Sequence, residues 1–488
     1  MQRPWLDDIE NHTALDPLLG RLKAGAWKAA EGAWGSSAHL LGGVVARRTG
    51  RPVLLVVGHL DSADEAVDDL DLFEGLSVAA FPALEVLPGE SGVSRPLMAE
   101  RLRLAQKLSE SSGPGVLVAP VQALMQSVPD PTAPPQWIRT LKTSEAMDPQ
   151  DLVEWLVDAD YRRVDSVEEV GDFAVRGGLI DILPEDEPPV RLEFFGDRIE
   201  SIMEFDFASL APDRKRRQVA LLSNRLDAMG RQDNVGLWTL LDPATVVVYA
   251  ESMEVFEQAR GYYERLNDPV GIFAPQTVQK KLQAYPVISF DPVTPEVLSE
   301  NPIRLPIGSL QNFDRHAHLA VSELGRMIED GAAESVVVLC RREAEKQRLE
   351  QLIGEHAAEH AGRIVLESGS LQRGFVWDGA VAVVPHQELF HRHELRRRVR
   401  RVGREGGAEV FFDIEPGDYV VHRDHGIARF KSLRLMDKGP DDPGQEYLSL
   451  EFAGRALLHV PVTQIDRVQK YVGGAGRPSL SKLGGGRW

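Results

Sequence analysis

The residues with the clearest potential for chemistry form a glycine-spaced run, Gly32-Ala33-Trp34-Gly35-Ser36-Ser37-Ala38-His39. Such spacing lets backbone approach a polyphosphate closely, and the chemistry it would serve is nucleotide binding and phosphoryl transfer. That chemistry also needs a lysine for the phosphate charge and a hydroxyl for magnesium. Ala38 stands where the lysine belongs and His39 where the hydroxyl belongs, and no Gly-Lys-Ser or Gly-Lys-Thr occurs in the chain. The matching carboxylate strand, Val247-Val248-Tyr249-Ala250-Glu251, carries Ala250 in place of a magnesium-binding aspartate. Gly32, Gly35, Ala38, His39 and Glu251 therefore outline a degenerate nucleotide site, the shell of a nucleotide-binding fold without its function.

Other reactive side chains read as structure. His422-Arg423-Asp424-His425 imitates a kinase catalytic loop, but Arg429 stands where its asparagine is required and no Asp-Phe-Gly follows. As metal ligands His422, Asp424 and His425 lack a helix to place them on one face, and His386, His391 and His393 fare no better. No Gly-x-Ser-x-Gly elbow is present, and Cys340 closes an apolar run, which suits packing better than nucleophilic attack. No catalytic or metal site is expected.

The elements around these residues alternate. Val53–Val57 and Val116–Ala119 are short, wholly apolar runs of the kind buried on both faces of a parallel sheet. Pro96 to Leu108 is an amphipathic helix with proline at its start. The proline-rich stretch 128–135 marks a boundary. Beyond it, Phe173–Arg176, Leu179–Leu183 and Val190–Phe195 alternate around Gly177-Gly178 and Gly196-Asp197, which indicates antiparallel hairpins. Thr245–Tyr249 then resumes the buried-strand pattern.

The chain is accordingly read as multidomain α/β. Residues 1–135 and 221–305 form a degenerate P-loop-like α/β domain, and 136–220 form an inserted β-hairpin module. Residues 306–395 form a second, small α/β domain, with strands Ser335–Leu339 and Val381–Val384 about a helix at 342–360. An Arg-rich linker at 396–411 follows. Residues 412–488 form a small β-barrel of the SH3/Tudor kind, with short strands Asp418–Val421, Ile427–Leu435, Tyr447–Phe452 and Leu457–Val460 between Gly and Pro turns.

Composition sets the outer bounds. The 488 residues exceed what one core normally organises, and 43% hydrophobic with 26% charged residues is ordinary globular chemistry. Asp and Glu outnumber Lys and Arg, 74 to 55, so a formal charge of −19 opposes broad binding to nucleic acid. The run Arg392, Arg396, Arg397, Arg398, Arg400, Arg401 and Arg404 suits either a solvated linker or a local contact with DNA. One cysteine excludes an intrachain disulfide, no stretch has the length of a membrane span, and the start lacks the apolar core of a signal peptide. A cytoplasmic protein is expected.

Two segments carry a resemblance. Tyr161–Asp165, Gly171–Pro184 and Arg191–Asp197 resemble the hairpin module of the UvrB excision-repair subunit. Gly417–His422, Asp424–Phe430, Tyr447–Ala453 and Val460–Val462 resemble the polymerase-interacting domain shared by CarD regulators and the transcription-repair coupling factor family, Mfd. That family joins both, and the closing Lys482–Trp488 resembles the segment leading into its motor. The resemblance covers nearly the whole chain, strongest at 161–200 and 415–488. It implies the N-terminal half of such a factor, cut before the motor lobes and the C-terminal domain.

The family's role, so implied, is a scaffold between UvrA and the β subunit of a stalled RNA polymerase, which starts nucleotide excision repair. Arg163, Arg176 and Arg191, with Glu193 on the same face as Arg191, match UvrB's contacts with UvrA. Arg162 is the alternative to Arg163, since one step along a strand reverses the face. The same arginines would also suit pairing with neighbouring carboxylates. In the barrel, Arg429, Lys431, Leu433, Arg434 and Leu435 belong to a strand suited to adding onto a polymerase sheet, or to an edge strand protected by its cations. DNA contact is expected to be indirect or weak, and membrane contact absent. ATP and magnesium are expected only for the motor domains, and UvrA binding is expected to be unmasked without the C-terminal domain. The competing readings are a UvrB-like nucleotide-dependent repair subunit and a CarD-like transcription regulator.

Overall fold

The computed structural model describes residues 3–84, 95–130, 138–184, 188–205, 212–223, 234–266, 269–294, 298–299, 301–390, 419–422, 426–436, 445–453, 456–461, 468–470 and 480–481. Side chains are described for these except at 95–96, 212, 421–422, 426, 433–436, 445–447, 461 and 468–470. The chain divides into two compact units, one built from 1–185 and 189–398, the other from 186–188 and 399–488.

The first unit is organised by a seven-stranded parallel sheet. Its order is Ile303–Arg304, Trp27–Glu31, Val287–Asp291, Val246–Ala250, Val53–Val57, Val116–Pro120 and Val78–Ala80. The wholly apolar runs are central strands because both faces are covered. Val53, Leu55, Val57, Val246 and Val248 feed one core, and Leu54, Val56, Val247 and Tyr249 feed the other. Each such side chain contributes about 1.5–3 kcal/mol of burial. The expected helix over 96–108 runs from Arg95 to Ser109. Helix Ser37–Thr49 packs on this sheet and stops at Gly50, whose φ of +63° lets its N–H turn back to Ala46 O.

The hairpin module enters through Ile138–Lys142 and leaves through Gln218–Leu222, paired antiparallel with Ile138 opposite Leu222. Its six-stranded sheet has the order Pro212–Arg216, Arg198–Phe205, Val190–Phe195, Leu179–Ile182, Asp172–Arg176 and Arg162–Arg163. Every pairing is antiparallel except the last, which is parallel. Both predicted glycine turns are present. Helix Pro149–Asp158 starts where Asp148 accepts a hydrogen bond from Gln150 N, and it buries Leu152, Val153 and Leu156.

Residues from 307 to 385 build a sheet of their own, ordered Ile307–Ser309, Phe375–Trp377, Val381–Pro385, Ser335–Cys340 and Ile364–Ser368. Helices Ala317–Glu329 and Glu343–His356 cover one face, with Leu324, Leu349 and Ile353 among the packed residues. Among the described residues the other face has no separate core. Val337, Leu339, Phe375, Trp377 and Val383 lie in the same apolar cluster as Trp5, Leu41, Val44 and Leu70.

In the second unit the sheet order is Leu457–Pro461, Gln445–Glu451, Gly426–Met436, Tyr419–His422 and Val468–Lys470, all antiparallel. Val420, Ala428, Phe430, Leu448, Leu450, Phe452 and Val460 form its core. Among the described residues no pairing joins Leu457–Pro461 to Val468–Lys470, so the described sheet is open. The arginine run, the 396–411 linker, Asp424, His425, His391, His393 and the closing 482–488 lie outside the described residues, as do the side chains of His422, Leu433, Arg434 and Leu435.

Candidate partner-binding surfaces

Strand alternation sorts the hairpin module into a core face and a polar face. Val190 and Leu192 point inward with Ile180, Ile182 and Phe173, which turns Arg191, Glu193, Asp181, Ala174 and Arg176 to the other face, where Ala174 is covered in a small buried cluster with Val167, Leu183 and Phe205. Arg191 lies opposite Asp181, and its Nε and Nη2 donate to the two carboxylate oxygens at 2.6 and 2.9 Å. The guanidinium also stacks 5.3 Å from the Phe205 ring centroid. The hydrogen bond to Asp181 raises the Arg191 pKa still further, so this cation is permanent. Glu193 accepts from Ser201 Oγ at 2.6 Å, while Arg176 Nε and Nη2 donate to Asp165 O at 3.2 and 2.8 Å.

The parallel edge strand decides between the two neighbouring arginines. Arg162 is in register with Asp172 and Arg163 with Phe173. Arg162 therefore shares the polar face with Arg176 and Arg191, and Arg163 falls on the opposite face with the core residue Phe173. Arg162 donates to Asp172 Oδ1 at 2.8 Å and Glu169 Oε2 at 2.9 Å, and it remains 60% exposed. Burial pushes the Asp172 carboxyl up, but hydrogen bonds from Arg162 and from the backbone N–H groups of Glu169 and Glu168 outweigh it and hold the pKa below the usual range. The candidate face is thus a row of cations anchored by carboxylates beneath them.

The glycine-spaced loop occupies the turn between Trp27–Glu31 and helix Ser37–Thr49, and Gly32 and Gly35 take φ of +92° and +59°. Its concavity is filled by the chain itself. Ser36 N donates to Arg373 O at 3.1 Å, Arg373 N donates to Ser36 Oγ at 3.0 Å, and a Cβ on Gly35 would collide with the carbonyl oxygen of Gly374. Ala38 is 2% exposed. His39 Nδ1 lies 2.8 Å from the buried Asp69, whose other oxygen accepts from Gln372 N at 2.8 Å. The residue standing where a P-loop has its hydroxyl, His39, is tied through Asp69 to the 372–374 segment, and Ala38 lies buried in the apolar cluster.

Glu251 is exposed, with φ of +57°, at the start of helix Ser252–Glu264. The buried acid on this edge is Asp291, which sequence reasoning missed. Its Oδ1 accepts from Ser252 N and Oγ, both at 2.7 Å, and burial pushes its pKa up, partly offset by those bonds. The available signal was an apolar run, Val287-Ile288-Ser289-Phe290, ending in an acid.

In the second unit Glu451 accepts from Arg429 Nη2 at 2.7 Å and lies 3.2 Å from Lys431 Nζ. The bonds from Arg429 and then Lys431 hold the Glu451 carboxyl below the usual range. Strand Gly426–Met436 pairs with Tyr419–His422 only through Arg429, whereas its pairing with Gln445–Glu451 runs from Arg429 to Met436 with a shift at Lys431. From Phe430 onward, one backbone edge bears no strand among the described residues.

Cys340 is buried, and burial, with the charge of Glu345, pushes its thiol up to about 11. His386 packs its ring 4.8 Å from that of Phe390. Glu329, Glu359 and His360 lie close enough to share a cation. However, Arg363 Nη2 donates to His360 Nδ1 at 3.1 Å, which puts the imidazole proton on Nε2, facing Glu329 at 2.8 Å. That ring offers the cluster a proton, not a lone pair. Among the described residues, no helix is long and apolar enough to cross a membrane.

A family model for the UvrB interaction domain matches residues 140–226, and one for the CarD-like/TRCF RID domain matches 414–472. The transcription-repair-coupling factor of Bacillus subtilis strain 168 is 24% identical over 544 residues, covering 93% of this chain and 46% of that protein. That of Staphylococcus aureus strain MSSA476 is 24% identical over 531 residues, covering 90% and 45%. The chain spans about half the length of the curated relatives it matches.

Proposed function

From the premise that this chain belongs to the transcription-repair-coupling-factor family and corresponds to its N-terminal half, we propose that it is a non-catalytic scaffold linking a stalled RNA polymerase to UvrA. The carrying observation is the presence of a UvrB interaction domain and a CarD-like/TRCF RID domain in one chain. The scaffold works in the cytoplasm with no cofactor of its own.

The polar face of the hairpin module meets UvrA through Arg162, Arg176, Arg191 and Glu193. Arg163 lies outside this face by register. Exposed cations at such a rim set association rate and register more than raw affinity. The polymerase β subunit is held by strand Gly426–Met436. Its edge beyond Phe430, which bears no strand among the described residues, supports strand addition, in which backbone hydrogen bonds supply affinity and alternate side chains supply specificity.

Nucleotide chemistry is not assigned to these residues. The reading is supported by Ala38 at the lysine position and by the backbone of 372–374 lying in the loop. This speaks against a UvrB-like ATPase. A CarD-like regulator would leave the UvrB interaction domain without a role.

The test is a titration of this chain against the isolated N-terminal lobe of the polymerase β subunit. Saturable one-to-one binding, lost with Leu433→Glu or Arg434→Glu, is expected. No binding by a folded sample rejects the proposal.

A further inference from the structure

The polar face of the hairpin module ends in an exposed aromatic ring. Along Val190–Phe195, Leu192 and Phe194 pack toward the core, so Arg191, Glu193 and Phe195 alternate onto the outer face. Phe195 is 78% exposed, the highest value for a large apolar side chain among the described residues. Leaving such a ring in water forgoes the stabilisation that burial of its apolar surface would give.

The ring is carried on a constrained support. Phe195 pairs with Arg198 across a turn in which Gly196 takes φ of +62°. The neighbouring hairpin tip locks beside it: Phe194 N donates to Gly178 O at 2.7 Å, and a Cβ on Gly178 would sit 2.8 Å from Phe194 O. Only glycine fits that approach. Phe195 consequently stands next to the Gly177-Gly178 turn, with Leu179 opposite Glu193 and Arg176 opposite Leu179. Both flanking arginines, Arg176 and Arg198, are exposed.

We propose that Phe195 is the apolar anchor of the partner interface, entering an apolar pocket whose rim carries carboxylates facing Arg176 and Arg198. This rests on the reading that the polar face meets UvrA. An aromatic ring with two side-chain torsions loses little freedom on burial, and an aromatic flanked by arginines is the composition in which binding energy concentrates. Arg191 gives its Nε hydrogen and one Nη2 hydrogen to Asp181 at 2.6 and 2.9 Å, which ties the strand that carries Phe195 to its neighbour.

Binding of the full chain to purified UvrA, measured by titration with Phe195→Ser, Phe195→Tyr and Arg176→Glu, tests the proposal. Phe195→Ser is expected to weaken binding at least roughly tenfold, mainly through faster dissociation, and Phe195→Tyr to stay within about threefold. Unchanged thermal unfolding confirms that the surface variants are folded. If Phe195→Ser binds like the parent while Arg176→Glu weakens binding, the anchor is wrong and the UvrA reading stands. If the parent chain shows no saturable UvrA binding, both fall.

Discussion

Arg191 and Asp181 face one another across adjacent antiparallel strands, joined by two parallel hydrogen bonds of 2.6 and 2.9 Å, with the carboxylate side chain only 4% exposed. A face expected to serve a partner is thus first of all internally neutralised. Removing one member leaves a buried charge uncompensated. Arg191→Ala is expected to cost about 3 kcal/mol in urea unfolding, whereas Arg191→Met combined with Asp181→Leu is expected to lie within about 1.5 kcal/mol of the parent. An unfolding midpoint for Arg191→Ala equal to the parent's contradicts the structural role.

Acid sensitivity should report on Arg162. The Asp172 carboxyl is pushed up by burial but held below its usual range by Arg162 and two backbone N–H groups. With a folded pKa below the unfolded one, its contribution is complete above the ordinary carboxylate range and disappears as pH falls through the lowered folded value. Arg162→Ala is expected to lower stability at neutral pH and to shift the acid-unfolding midpoint to higher pH, the loss fading where Asp172 is protonated. Arg163→Ala, on the opposite face, is expected to do neither.

Asp291 carries the opposite sign. Burial raises its folded pKa, so its ionisation costs no stability below the ordinary carboxylate range, and the cost grows as pH rises toward the folded value. Asp291→Asn keeps an oxygen for Ser252 and removes the charge. It is expected to raise stability at pH 7 by about 1 kcal/mol, with the gain fading in acid. Asp291→Ala loses the Ser252 N–H partner at the helix start and is expected to cost about 1 kcal/mol. Thermal unfolding across pH separates the two.

Restoring the missing P-loop residues should not restore binding. Ala38 is buried and His39 is engaged with Asp69, so Ala38→Lys with His39→Thr adds an unpaired cation and removes an interaction at once. The double variant is expected to melt several degrees lower than the parent. Isothermal titration with ATP and magnesium is expected to show no saturable heat for either protein. A micromolar site in the variant contradicts the account of the filled loop.

How much was legible follows the range of the interactions. Val53–Val57, Val116–Pro120 and the two glycine turns are announced locally, because a run buried on both faces must be apolar throughout and a tight turn needs glycine. Strands Trp27–Glu31 and Val287–Asp291 were not evident. Trp27–Glu31 mixes polar and apolar residues, and Asp291 becomes a buried acid only because the start of helix Ser252–Glu264 lies beside it.

The sequence by itself determined the alternation of elements, the loss of the P-loop lysine at Ala38 and the two modules on which the family reading rests, since each is written in residue type and spacing over short stretches. The tertiary structure alone decided that Arg162 and not Arg163 shares the face of Arg191, that residues 372–374 fill the loop between Gly32 and Ser36, and that the sheet from 307 to 385 shares its core with the first module. These depend on register and on contacts between residues hundreds of positions apart. A one-residue slip reverses a face, and a distant loop can occupy a cleft, without changing any local pattern.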